Sequence, residues 1–228
     1  MPKLIACGCS NTYGHGLKDI SFPGKHGKIN YLLGASKLAW PQKLADLLGY
    51  ECVNMGIPAA PNKLIAYRLT EVEDIQPDDI IVFMWTFLLR QAILPDLTRT
   101  PNARIDDTTD ILFLRRDQIS TNNSYAASES WIDWQVKYDN DYNLLNENMA
   151  WLASGNHYAR SKTNNVYNYS INGGVMLPMQ DRYAVNILDD IASYAYEEPR
   201  ALDNAHPGEA THLRIAKQIY GDIKKGNK

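Results

Sequence analysis

Between Lys3 and Trp85 the sequence alternates short apolar runs with amphipathic stretches, and that order leaves few folds open. Lys3–Cys7 is a compact apolar run ending in Gly8, the pattern of a strand buried on both faces that then turns sharply. Trp40-Pro41 opens an amphipathic helix with Pro41 in its first turn, Leu44, Leu47 and Leu48 on one face and Gly49 as its stop. Glu51–Asn54 reads as a second strand, followed by the turn-rich Met55–Pro61. Asn62 is placed to cap a helix carrying Leu64, Ile65, Tyr67 and Leu69. Pro77-Asp78-Asp79 interrupts the chain before Ile80–Trp85, the most hydrophobic strand candidate. The order β-loop-α-β-loop-α-β predicts an α/β domain with a parallel sheet and right-handed crossovers.

The remainder is less periodic. Asp19–Leu38 is rich in Gly, Lys and Ser and reads as a loop insertion, a flap over a site. Residues 91–165 form an irregular excursion, with a strand at Ile111–Leu114 and one or two helices within Ser128–Tyr158 carrying Trp131, Trp134, Leu144, Leu145 and Trp151. Val166–Ile171 and Gly174–Leu177 are strand candidates, and Val185–Tyr196 has helical spacing. Pro207–Lys224 predicts a terminal helix with Leu213, Ala216, Ile219 and Tyr220 inward and lysines in its last turns. A length of 228 residues fits a single domain over 1–228 with a substantial core.

A net charge of −3 supplies no basic field for nucleic acid or an anionic membrane, so neither is an expected partner. No hydrophobic leader precedes the first strand and no apolar run has bilayer-spanning length, which predicts a cytoplasmic protein. Cys7, Cys9 and Cys52 are an odd number without metal-ligand spacing and read as reduced, buried residues; no metal or cofactor is expected. His15, His26, His157 and His212 lack a partner pattern and read as surface or loop residues.

Two segments carry chemistry. Gly8-Cys9-Ser10-Asn11-Thr12-Tyr13-Gly14 follows the first strand, where a parallel sheet opens onto its ligand crevice. It lacks the Gly-Lys-Ser/Thr of a phosphate-binding loop and the spacing of a dinucleotide fingerprint. Asp203-Asn204-Ala205-His206-Pro207 stands near the other end. Residues three apart on a turn meet side by side, so Asp203 can hold one nitrogen of His206 and leave the other for a nucleophile. Each segment alone also suits a helix start; together they supply serine, histidine and aspartate.

The combination resembles the SGNH (GDSL-type) hydrolases. Gly8–Gly14 is similar to that family's first block, Gly-Asp-Ser-x-Thr-x-Gly; Asn54-Met55-Gly56-Ile57-Pro58-Ala59-Ala60-Pro61-Asn62 is similar to the second, Asn-x-Gly-x-x-Gly; and Asp203–Pro207 matches the last, Asp-x-x-His-Pro. The resemblance covers about residues 3–90 and 200–222. It implies a three-layer α/β/α sandwich around a central, mainly parallel five-stranded sheet, flavodoxin-like in layout. It further implies Ser10 as nucleophile, His206 as base then acid, and Asp203 as orienting carboxylate. Three positions depart from the pattern. Cys9 replaces the aspartate before the nucleophile, and Ala59 stands where the second-block glycine belongs. Trp85-Thr86-Phe87-Leu88 stands where Gly-x-Asn-Asp should supply an oxyanion-hole asparagine. Removing one such donor typically costs about 2.7–4 kcal/mol in the transition state. The oxyanion-hole candidates are therefore the backbone N–H groups of Ser10, Gly56 and Ala59, with Asn62 and Thr86 as side-chain substitutes. Trp85-Thr86 followed by Arg90 also resembles phage-encoded members, which implies association with a virus particle.

Two functions follow from these residues. One is a serine esterase that removes small acyl groups, such as acetyl, from a carbohydrate or other small ester through an acyl-enzyme. Fourteen tyrosines and five tryptophans with many asparagines suit a sugar-binding surface. The other is an SGNH-like glycan-binding or structural module, weak or inactive because the third block is lost.

Overall fold

The computed structural model describes residues 1–25, 29–32, 34–87, 90–93, 112–115, 141–171 and 199–226. Four strands, β1 (Lys3–Gly8), β4 (Glu51–Asn54), β5 (Ile80–Trp85) and β8 (Val166–Ser170), form a parallel sheet in the order β4-β1-β5-β8. The five-stranded expectation is thus corrected to four among the described residues; the Gly174–Leu177 candidate and the Val185–Tyr196 helix lie outside them. Both central strands read as continuous apolar runs because both faces are covered: every residue of β5 and all but the first of β1 are buried.

The helices divide between those faces. Helix α2 (Trp40–Leu48) packs on α5 (Glu209–Lys225), and α3 (Asn62–Leu69) packs on α4 (Asp141–Arg160). The chain leaves β1 for β4 on one side and returns past β1 to β5 on the other. Right-handed crossovers therefore put α2 and α3 on opposite faces, giving three layers. Trp40, Phe83, Trp85 and Tyr169 are the largest core side chains, and the Phe83 and Trp85 rings stack at 4.4 Å. The buried indole of Trp85 donates to Asn168 Oδ1 at 3.0 Å, and Asn168 donates to Asn156 Oδ1 at 2.9 Å, so this polar chain is satisfied inside the core. Asp79 closes the opposite end of the sheet by accepting from the Lys3 N–H at 2.6 Å and the Gln76 N–H at 2.8 Å.

Several local expectations are altered. Leu47 is exposed while Trp40, Pro41, Leu44 and Ala45 face inward. On α5 the inward stripe is His212, Ile215, Ala216 and Ile219, and Leu213 is exposed. Within the 19–38 insertion two short strands pair antiparallel, β2 (Ser21–Pro23) with β3 (Ile29–Tyr31). Within the excursion, β6 (Arg90–Ile93) pairs antiparallel with β7 (Leu112–Arg115), close to the strand expected at Ile111–Leu114. Of the Ser128–Tyr158 region, α4 is the described part. Among the described residues no helix is long and apolar enough to cross a membrane.

Candidate active site

Strands β1, β4 and β5 end together at one edge, with Gly8 beside Met84 and Ala6 beside Asn54. The chain's progression across the sheet reverses between β1 and β5. That is the topological switch point, where the crevice of an open α/β sheet takes its ligands. Ser10 leaves β1 there and opens α1 (Ser10–Tyr13), a single turn. The change from strand to helix is abrupt because Gly8 has no side chain; a Cβ at that position would collide with Thr12 Oγ1. The Cys9 carbonyl accepts from the Thr12 and Tyr13 N–H groups at 2.9 and 3.0 Å and so anchors the turn. Cys9 itself is fully buried, while Ser10 keeps 7% exposure at the crevice. Burial pushes the thiols of Cys7 and Cys52 up to about 12, so neither supplies a thiolate at neutral pH. All three cysteines are free. Among the described residues no group of acidic, histidine or cysteine side chains could hold a metal ion.

The second segment is a closed loop. Arg200 bridges to Pro207, and the Ala201 N–H donates to the His206 carbonyl at 3.0 Å. Helix α5 then starts at Glu209, with Gly208 at its N-cap position, two residues later than the predicted start at Pro207. Inside this loop Asp203 Oδ2 lies 2.7 Å from His206 Nδ1, while Asp203 Oδ1 accepts from the Ala205 and His206 N–H groups at 3.0 and 3.1 Å. Burial by itself would raise the Asp203 pKa; the hydrogen bonds from Ala205 and His206 outweigh it and hold the carboxyl below its usual range. Asp203 is therefore a fixed anion against one imidazole nitrogen, which leaves Nε2 as the nitrogen available for chemistry.

The two segments are clasped together through Gly14-His15-Gly16. The Leu202 N–H donates to the Gly16 carbonyl at 3.0 Å, and a Cβ on Gly16 would stand 2.7 Å from Asp203 Oδ2. With φ at +86°, Gly16 also occupies backbone space that other residues rarely adopt. The His15 N–H donates to the Ser10 carbonyl at 3.0 Å, and its ring meets the His206 ring at a centroid distance of 5.0 Å and an angle of 70°. His15 was expected to be an unattached surface or loop residue; it belongs to the site. No hydrogen bond joins Ser10 Oγ directly to His206 in this conformation. Beneath the clasp, Leu17, Ala39 and Ala201 form a small separate apolar cluster.

The oxyanion-hole candidates divide. Asn54 Nδ2 donates to the Thr12 carbonyl at 2.8 Å and Asn54 Oδ1 accepts from the Gly56 N–H at 3.0 Å. That bond engages the Gly56 N–H within its own loop. Asn62 does not cap α3 as expected. Pro61 holds the N-cap position, and the Asn62 amide turns into the core instead of capping α3. Its Oδ1 accepts from the Thr86 N–H at 2.8 Å, and its Nδ2 donates to the Thr86 carbonyl at 3.1 Å and to Asn148 Oδ1 at 3.0 Å. Both amide hydrogens are thereby engaged, and Thr86, bracketed by this amide, is fully buried. Ala59 adopts φ of +62° on an exposed turn, the left-handed geometry that its glycine counterpart would take without strain. The backbone donors left are those of Ser10 and Ala59.

His212, also expected at the surface, is fully buried under the site. Its Nδ1 accepts from the Trp40 N–H at 3.1 Å and so caps α2 from α5. Burial first, then the positive charge of Lys43 and the proximity of His206, lower its pKa to about 3, so the ring stays neutral. His157 is exposed as expected, and His26 lies outside the described residues.

No family model matches the chain, and no curated protein matches it. Solved structures do. A carbohydrate esterase, whose active site is described as having divergent catalytic and non-catalytic binding functions, superposes with a TM-score of 0.55 at 10% identity. The match covers 98% of this chain and 65% of that one. An acetyl xylan esterase from the rumen bacterium Butyrivibrio proteoclasticus gives 0.54 at 12% identity, over 99% of this chain and 64% of that one. The chain thus spans just under two thirds of the length of both esterases. A G-D-S-L family lipolytic protein from Desulfitobacterium hafniense gives 0.46 at 11% identity, covering 97% and 99%. The parallel sheet, the switch-point crevice and the superpositions at 0.55 and 0.54 agree: the chain has the α/β fold of these two esterases.

Proposed function

We propose that the protein is a serine ester hydrolase with Ser10 as nucleophile, His206 as general base then acid, and Asp203 as the carboxylate that orients it. The observation that carries this reading is the 2.7 Å contact between Asp203 Oδ2 and His206 Nδ1, on a loop clasped to the Ser10 turn. Ser10 Oγ attacks the acyl carbonyl while His206 Nε2 takes its proton. The imidazolium is stabilised by the adjacent Asp203 anion and returns the proton to the departing alcohol. Water, activated by the same nitrogen, then releases the acid from the acyl-Ser10 intermediate. The N–H groups of Ser10 and Ala59 receive the oxyanion.

The substrate class is a small acyl ester, with acetyl groups on a carbohydrate as the preferred member. The names of the two esterase neighbours and the aromatic, asparagine-rich composition support that choice. Hydrolysis of p-nitrophenyl acetate by wild type and Ser10→Ala tests the chemistry. Turnover that vanishes in the variant supports it; equal rates would sink it. Acetate release from acetylated xylan tests the finer assignment. A second reading, a glycan-binding module without catalysis, is favoured by the engagement of the Gly56 and Asn62 donors in internal hydrogen bonds. Saturable binding of an acetylated oligosaccharide with no Ser10-dependent turnover would select it.

A further inference from the structure

We propose that His15 is a positioning residue of this site, holding the His206 imidazole in the plane that presents Nε2 to Ser10. The inference rests on the hydrolase reading and extends it to a residue outside the three carried by the family resemblance. His15 is fixed at both ends of its own backbone. Its N–H donates to the Ser10 carbonyl, and the next residue, Gly16, accepts from Leu202, the neighbour of Asp203. The glycines on either side have φ of +80° and +86°, so the chain doubles back at each and turns the His15 ring toward His206. Asp203 holds His206 by one atom, Nδ1, which leaves rotation about that contact open. The His15 ring, 5.0 Å away at 70°, limits that rotation by packing.

The pair is also electrostatically coupled. Burial and the proximity of His206 lower the His15 pKa, against an opposing pull from Asp203. His15 is thus biased toward the neutral form, and a neutral neighbour does not oppose the imidazolium that forms on His206. Other groups near the two rings include Tyr13, at 6.5 Å between its ring and that of His15, and the neutral His212 on α5.

The test compares wild type, Ser10→Ala, His15→Ala, His15→Phe and His15→Lys on p-nitrophenyl acetate, with thermal melts to confirm folding and NMR titration of the His206 ring. His15→Ala is expected to lower kcat about tenfold with KM nearly unchanged, and His15→Phe, which keeps a ring, to recover most of that loss. His15→Lys places a fixed charge beside the base. It should move both the His206 titration and the acid limb of kcat/KM to lower pH, which reports that position 15 faces the base, while the kcat loss at constant KM and its recovery by His15→Phe separate positioning from a merely structural role. Turnover that depends on Ser10 but is indifferent to His15→Ala, or an acid limb and His206 titration unmoved by His15→Lys, overturns the His15 assignment alone. Turnover indifferent to Ser10→Ala removes the hydrolase reading and this proposal with it.

Discussion

The two sides of the crevice are built from similar parts and use them differently. On the Ser10–His206 side, hydrogen bonds run between segments and leave functional atoms facing outward: Asp203 holds Nδ1, the clasp holds the loop, and Nε2 remains available. On the side of the second and third blocks, Asn54 occupies the Gly56 donor, and Asn62 closes on Thr86 and Asn148. One side leaves His206 Nε2 without a protein partner among the described residues, whereas the other turns most of its polar groups toward the protein. On the proposed reading, the Asp203–His206 pair is formed while charge stabilisation falls to backbone N–H groups.

The largest expected effect is on the first side. Asp203→Asn should lower kcat on p-nitrophenyl acetate by about 10³–10⁴-fold, because the amide favours the wrong imidazole tautomer. A loss under tenfold would mean that the outward-facing side is not the catalytic one. On the second side, Asn62→Ala removes the acceptor of the buried Thr86 N–H and the donor to Asn148, costing about 3 kcal/mol in urea unfolding. Molecules that remain folded should keep kcat within about tenfold. A loss of about 10²–10³ per folded molecule would instead make Asn62 an oxyanion donor and erase the contrast.

A third test concerns the framework beneath the acid–base side. His212 has a folded pKa of about 3, below its unfolded value of 6.5. Its contribution to stability is therefore complete above pH 6.5 and falls away as the pH drops toward 3, because the unfolded chain binds the proton first. The loss between pH 7 and pH 5 should be about 2 kcal/mol, read from urea midpoints, and His212→Gln should flatten that slope. Asp203, held below its usual range, adds a loss only at more acidic pH. The smallest effect is at the exposed turn of the second side. Ala59→Gly relieves a left-handed alanine at φ +62° and should raise stability by about 0.5–1 kcal/mol, with turnover retained because the backbone donor is kept. A fall in melting temperature would show that the turn is not strained.

Much of this was legible in the sequence where the signal is local. Strands β1 and β5 are bounded apolar runs, and Gly49 ends α2 in the left-handed conformation its position predicts. The Asp203–His206 contact follows from three-residue spacing. What escaped depends on partners far along the chain. His212 looks like a surface histidine until Trp40, 172 positions away, supplies an amide for its ring. The phase of Ile215, Ala216 and Ile219 does place position 212 inward and Leu213 beside the stripe, a signal outweighed by residue type. Asn62 has the composition of a cap, but the backbone of Thr86 offers its amide two partners at once. His15 carries no motif of its own. Its place is set by the turn at Gly16 and by a loop almost two hundred residues later.

The bond between Leu202 and Gly16 also sets an order in time. During synthesis the serine leaves the ribosome early, with β1 and its turn, while the acid and base are made long afterward. On the proposed mechanism, a chain that has folded only its first strands carries a nucleophile with no base beside it. If Ser10 and His206 act as proposed, reactivity appears only when the late loop docks, and the onset of turnover would report that the fold has closed.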